Sequence, residues 1–188
     1  MKLRLLLALV VLFGLPVWDA VAQTYKEAEA AYKKGDYKTA RKIALPLAQS
    51  GNPSAQHLLS VVYSLGQGID MDVCEATMWA DKAARQNLGR AQYRLAMAYL
   101  HGNGVYRNSS LAYRWTLAAI RSGYKRAKWR LEDIASEVQE NRRLQILGSM
   151  ANWRAEDQPP ARIVRLPNTL VGRITGHIRG VWPCRYDP

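Results

Sequence analysis

The chain has 188 residues, with 27 Lys and Arg against 15 Asp and Glu, for a formal net charge of +12. That length holds one domain, or a short repeat array with an appendage, and its two cysteines are too few for a disulfide framework. So large a positive charge favours acidic partners such as anionic glycans, phosphorylated lipid surfaces or acidic protein patches.

The first 22 residues read as a secretory signal peptide. Lys2 and Arg4 give a basic start, Leu5 to Leu15 form an apolar run, and Ala20 and Ala22 occupy the small-residue positions of a cleavage site. The run is too short to span a bilayer. Cleavage near Ala22/Gln23 would place a chain without a transmembrane segment in the periplasm or outside the cell, still strongly basic. Export argues against nucleic acid as a partner. An oxidising compartment permits a disulfide between Cys74 and Cys184.

The next residues, 24–54, are a shortened copy of a unit that follows twice in full, at about 55–90 and 91–126. At an offset of 36 residues Ala55 matches Ala91 and Ala127, Gln56 matches Gln92, and Leu59 matches Leu95 and Leu131. The identities continue with Tyr63 and Tyr99, Gly66 and Gly102, Gly68 and Gly104, Ala76 and Ala112, and Trp79 and Trp115. Within a copy the spacing is helical: Ala91, Leu95 and Tyr99 share one face, and Ala112 and Trp115 share another. Asp72 with Glu75 predicts a capping box, and Asn108 the matching cap in the following copy. Each unit is therefore a helix–turn–helix that cannot bury its apolar face alone, so the copies must stack. The fold class that follows is all-α, an α-solenoid with a short irregular or β-like basic tail.

In the shortened copy, Tyr32 and Gly35 stand where Tyr63 and Gly66 do, and Pro46 is expected to bend or cut short its second helix. Closing helices are expected over 127–153, with Ser136 and Gln139 as a further capping box. The extension 154–188 is rich in Arg and Pro and has no Lys. Its stretch GRITGHIRG alternates with one basic face, which reads either as a strand for a partner's sheet edge or as an arm folded back and tethered from Cys184 to Cys74.

The pattern A-x3-L-x3-Y-x2-G-x-G-hydrophobic-x2-(Asp/Asn)-x3-A-x2-W, at 55–79 and again at 91–115, resembles the Sel-one-like repeats, relatives of the tetratricopeptide repeats. The resemblance covers roughly 25–153. It implies a non-catalytic interaction scaffold, often exported, serving envelope regulation or a cell-surface machine such as the ring of sodium-driven flagellar motors. The alternative is a cell-wall-acting enzyme or a penicillin- or peptidoglycan-binding protein of the cysteine-rich kind. The chain departs from that kind, since Cys74 is alone in its repeat and Ser110 stands at its counterpart.

No catalytic residues, metal ligands or cofactor are assigned. The Gly-x-Gly pairs follow helices rather than strands, so they predict turn geometry rather than a nucleotide loop. The Ser-x-x-Lys at Ser122 to Lys125 lacks the partner motifs of serine enzymes, and His57, His101 and His177 are too scattered to converge on a metal.

Candidate partner-binding residues fall in three groups. By analogy with helical stacks, whose first helices line the concave face, His57, Gln92, Tyr93, Arg94, Lys128 and Trp129 are expected in a groove. Arg121, Lys125, Arg126, Lys128 and Arg130 form the densest basic run. His101, Tyr106, Arg107 and Tyr113 are what the turn of the second full copy does not share with the first. The protein partner is expected to lie in the cell envelope and to offer an acidic surface.

Overall fold

The computed structural model describes residues 17–163, 165–167 and 184–186, with side chains over 24–163. Most of the expected signal peptide, the GRITGHIRG stretch and the side chain of Cys184 lie outside the described residues. Among those described there are eight α-helices, one 3-10 helix and two short strands. The first six helices form three antiparallel pairs: α1 (Val17–Lys33) with α2 (Tyr37–Gln49), α3 (Pro53–Leu65) with α4 (Val73–Arg85), and α5 (Gly89–His101) with α6 (Ser109–Arg121). Each packs chiefly on its neighbours in sequence, the stacking of an α-solenoid.

The apolar stripes go where their spacing sends them. Ala55, Leu59, Ala91, Leu95 and Ala112 are fully buried, Ala76 nearly so, and Trp79, Trp115, Tyr63 and Tyr99 lie in the core beside them. Small residues at Ala83, Ala96 and Ala119 let neighbouring helices approach closely.

The turn inside each full copy is held by the same three devices. Gly66 and Gly102 end the first helix in the left-handed conformation. The N–H of Asp72 then donates to the Tyr63 carbonyl (3.0 Å), and that of Asn108 to the Tyr99 carbonyl (2.8 Å). The second glycine lies against the N-terminus of the preceding unit's second helix: a Cβ on Gly68 would meet Tyr37 and Lys38 at 3.2 Å, and one on Gly104 would meet the Val73 carbonyl at 2.9 Å. The repeat spacing thus brings each turn onto the unit before it.

Asp72 accepts from the N–H groups of Cys74 and Glu75, and Asn108 from that of Leu111. The reciprocal half of the capping box is replaced at Asp72, whose own N–H is already committed to Tyr63. Pro46 does not shorten α2, which has 13 residues like α3 to α6. It sits solvent-exposed in the last turn, where a missing N–H forfeits only one helical bond. Ser136 does not cap either; it ends a helix of its own and donates to the Asp133 carbonyl.

Beyond the third pair come a 3-10 helix (Lys125–Arg130), α7 (Leu131–Ser136) and α8 (Glu140–Ser149). The chain then doubles back. Trp153 packs edge-on against Trp115 with ring centroids 5.0 Å apart, and Arg121 donates to the carbonyls of Met150 and Trp153. Arg85 and Asn87 reach Glu156, and Val105 bridges Ile163. Strand β1 (Arg165–Pro167) pairs in parallel with β2 (Cys184–Tyr186). Cys74, at the start of α4, is disulfide-bonded.

Candidate functional site

A cleft of about 340 Å³ opens along the first helices of the two full copies. It is lined by His57 from α3, by Arg90, Tyr93, Arg94 and Met97 from α5, and by Tyr124. The α5 residues recur at three- and four-residue steps, one stripe of the helix. The stripe between them, Ala91, Leu95 and Tyr99, is the one buried in the core. One helix thus packs with one face and lines the cleft with the other.

The Tyr93 and Tyr124 rings are 5.5 Å apart and tilted by 40°. Arg94 is held from beneath: its Nη1 donates to the Ser64 hydroxyl at 2.9 Å, while its Nε is buried without an acceptor. Desolvation lowers the pKa of this guanidinium. Burial, followed by the neighbouring charges of Arg94 and Arg90, pushes the His57 imidazole down to about 3. The histidine is therefore neutral at physiological pH, and the positive charge of the cleft is carried by the two arginines. Tyr25, on α1, feels both Arg90 and the hydroxyl of Ser54, which places the first helix of the shortened copy beside the same face. No carboxylate lines the cleft, and no ion pair among the described residues involves Arg90 or Arg94.

Of the expected groove residues, the structure brings together His57, Tyr93 and Arg94 and leaves out three. Gln92 is fully buried. Its amide donates to the Ala84 carbonyl at the end of α4 and its oxygen accepts from Ser122, just as Gln56 donates to the Ala48 carbonyl. The glutamine is a tie between successive units. Lys128 and Trp129 are exposed but do not line the cleft, because 125–130 winds as a 3-10 helix and the α-helical phase carried from the earlier copies no longer applies.

The other two groups also divide. Tyr113 is buried in the core and not offered to a partner, since it lies on the inner side of α6 beside α7. Arg107 pairs with Glu137 at 2.6 Å, and Ser109 donates to the same carboxylate, so this turn is tied to the closing helices. His101 and Tyr106 are exposed beside it. Arg121 is engaged with the returning chain, and Arg130 with Asp133. Lys125, Arg126 and Lys128 are exposed, around a Trp129 whose side chain is 82% accessible. Arg90, Met97 and Tyr124 were missed by the sequence reading. The signal for the first two was present as the stripe through Tyr93 and Arg94. Tyr124 lies in a turn, where periodicity carries no information.

No group of His, Cys, Asp and Glu among the described residues could hold a metal ion, and no described helix is long and apolar enough to cross a membrane. Ser122, the serine of the Ser-x-x-Lys match, caps α6 and donates to Gln92.

The Sel1 repeat family model matches residues 53–88 and 89–124, the two full copies. Among solved structures, a Sel1 repeat protein from Oxalobacter formigenes aligns at 27% identity with a TM-score of 0.57, over 67% of this chain and 54% of that one. A protective antigen present in uropathogenic Escherichia coli strains, which displays an SLR fold, aligns at 21% identity with a TM-score of 0.65, over 70% of this chain and 29% of that one. The chain thus spans about half or less of the length of these two proteins. No curated protein matches it. Sel1 repeat proteins are generally protein-interaction scaffolds, typically without catalysis. Two Sel1 repeats, at 53–88 and 89–124, thus lie in this chain, stacked in the fold that solved SLR proteins share.

Proposed function

We propose that the protein is an exported scaffold of the cell envelope that holds a partner protein in the cleft along α3 and α5. The observation that carries this reading is a face of α5 whose large polar side chains, Arg90, Tyr93 and Arg94, contribute nothing to the core and converge with His57 and Tyr124 on one opening. Export rests on the basic, apolar and small-residue succession of the first 22 residues. Cleavage at Ala22/Gln23 would cut within α1 and leave residues 23–33 as its remaining helix. The partner would belong to an envelope regulatory system or a cell-surface machine, of which the sodium-driven flagellar motor ring is one instance. The cell-wall enzyme reading has no observation in its favour, since the Ser122 hydroxyl is spent on Gln92.

Two measurements test this. Fractionation with N-terminal sequencing of the mature chain is expected to find it outside the cytoplasm, beginning near Gln23. A photo-crosslinking residue in place of Tyr93 is expected to capture one partner in stoichiometric yield from envelope-bearing cells, while the same residue at Lys42, exposed on α2, captures none. Equal capture from both positions would remove the cleft from the account.

A further inference from the structure

The cleft also carries information about what enters it. We infer that it takes an extended segment of the partner bearing a carboxylate, an Asp or Glu side chain seated against Arg90 and Arg94, with an adjacent aromatic or aliphatic side chain against Tyr93, Met97 and Tyr124. This rests on the groove reading above.

The first argument is charge. Among the described residues three basic groups, Lys33, Arg107 and Arg130, have carboxylate partners, in Glu29, Glu137 and Asp133. The two arginines of the cleft have none, and the lining offers none. The second argument is solvation. Arg94 is half-buried, held by one neutral hydroxyl, and its Nε has no acceptor. A guanidinium removed from water without a counter-ion is a costly arrangement, and a carboxylate supplies both the charge and the acceptor atoms it lacks. His57 adds no competing charge, because its imidazole is neutral. The third argument is shape. A cleft of about 340 Å³ admits one or two side chains rather than a folded acidic face. Its other wall, the Tyr93 and Tyr124 rings with Met97, is the kind of surface on which an apolar side chain packs.

The test is selection of displayed random-sequence peptides on the full chain, followed by affinity measurement on the winners. The expected consensus pairs an Asp or Glu with a neighbouring aromatic or aliphatic residue. Changing that acid to its amide should weaken binding about tenfold or more, as loss of a charge-assisted contact does. Arg94→Gln should cost a similar factor. Arg90→Gln, at an exposed position that the fold does not need, should also weaken binding and serves if Arg94→Gln fails to fold. Arg126→Gln, outside the cleft, should not. Peptides that crosslink through position 93 but are indifferent to the acid and to both arginines would overturn the carboxylate assignment and leave the groove reading standing. Peptides that bind without crosslinking there would overturn the groove reading itself. Competition by inorganic phosphate well ahead of acetate would transfer the site to a phosphorylated segment, and failure to enrich any peptide would end the segment proposal.

Discussion

At an offset of 36 residues, Gly68 faces Gly104, Tyr63 faces Tyr99 and Trp79 faces Trp115, while Arg90, Tyr93, Arg94 and Met97 stand opposite Ser54, His57, Leu58 and Val61. The first set closes turns and fills the core; the second, in the later copy, lines the cleft. Where the backbone of one unit touches the next, few side chains fit, so both copies use the same ones. On the open stripe the two copies carry different residues at every one of these positions. There Leu58 is buried while Arg94 keeps its charge beside the cleft, which makes the later copy the chemically distinctive one.

That contrast can be broken from the core outward. Both Trp79 and Trp115 are buried, but Trp115 also meets the Trp153 ring of the returning chain, whereas Trp79 has Lys82 over its face. Trp115→Ala should cost about 3–5 kcal/mol of stability in urea unfolding. It should exceed Trp79→Ala by roughly 1 kcal/mol, the increment of an aromatic pair. Equal losses would mean that the returning segment adds nothing to the second full unit.

The turn glycines come next. Both hold positive φ, but only at Gly104 would a Cβ press on a backbone carbonyl, at 2.9 Å; at Gly68 the nearest atoms are at 3.2 Å. Gly104→Ala is expected to cost roughly 2–4 kcal/mol and Gly68→Ala roughly 1–2 kcal/mol, from left-handed strain in both and an added clash in the first. The reverse order would contradict the packing described for the two turns.

The last contrast concerns the two residues that occupy one repeat position on the open stripe, His57 and Tyr93. The folded-state pKa of His57, about 3, lies below its unfolded value of 6.5. The unfolded chain therefore binds the proton first as pH falls, and stability is full above about 6.5 and lost between there and about 3. From pH 7 to pH 5 this term removes about 2 kcal/mol. His57→Gln should flatten that part of the stability profile, whereas Tyr93→Phe should leave it unchanged. A profile identical in wild type and His57→Gln would show the imidazole to be solvated.

Much of this architecture could be read before any coordinates. The doubled motif gave the helix pairs, the turn glycines, the caps at Asp72 and Asn108 and the buried alanine and tryptophan stripes, because each is a local demand repeated at fixed spacing. What could not be read depended on neighbours. Gln92 looks like a groove residue by polarity and is a buried tie between units, since the carbonyl it satisfies belongs to the end of α4. Tyr113 looks variable and is core, because α7 covers it. Pro46 looks like a break and is tolerated, because it falls in an exposed last turn.

The sequence by itself determined the helical repeat, its length and its turns, because hydrophobic period, glycine conformation and capping act within a few residues of one another. The tertiary structure decided which face of α5 stays open, that Tyr124 completes the opening, and that Arg90 and Arg94 meet there without a carboxylate. Those facts depend on how far one unit turns against the next. Side chains 30 residues apart join the units there, Arg94 on Ser64 and Ser122 on Gln92.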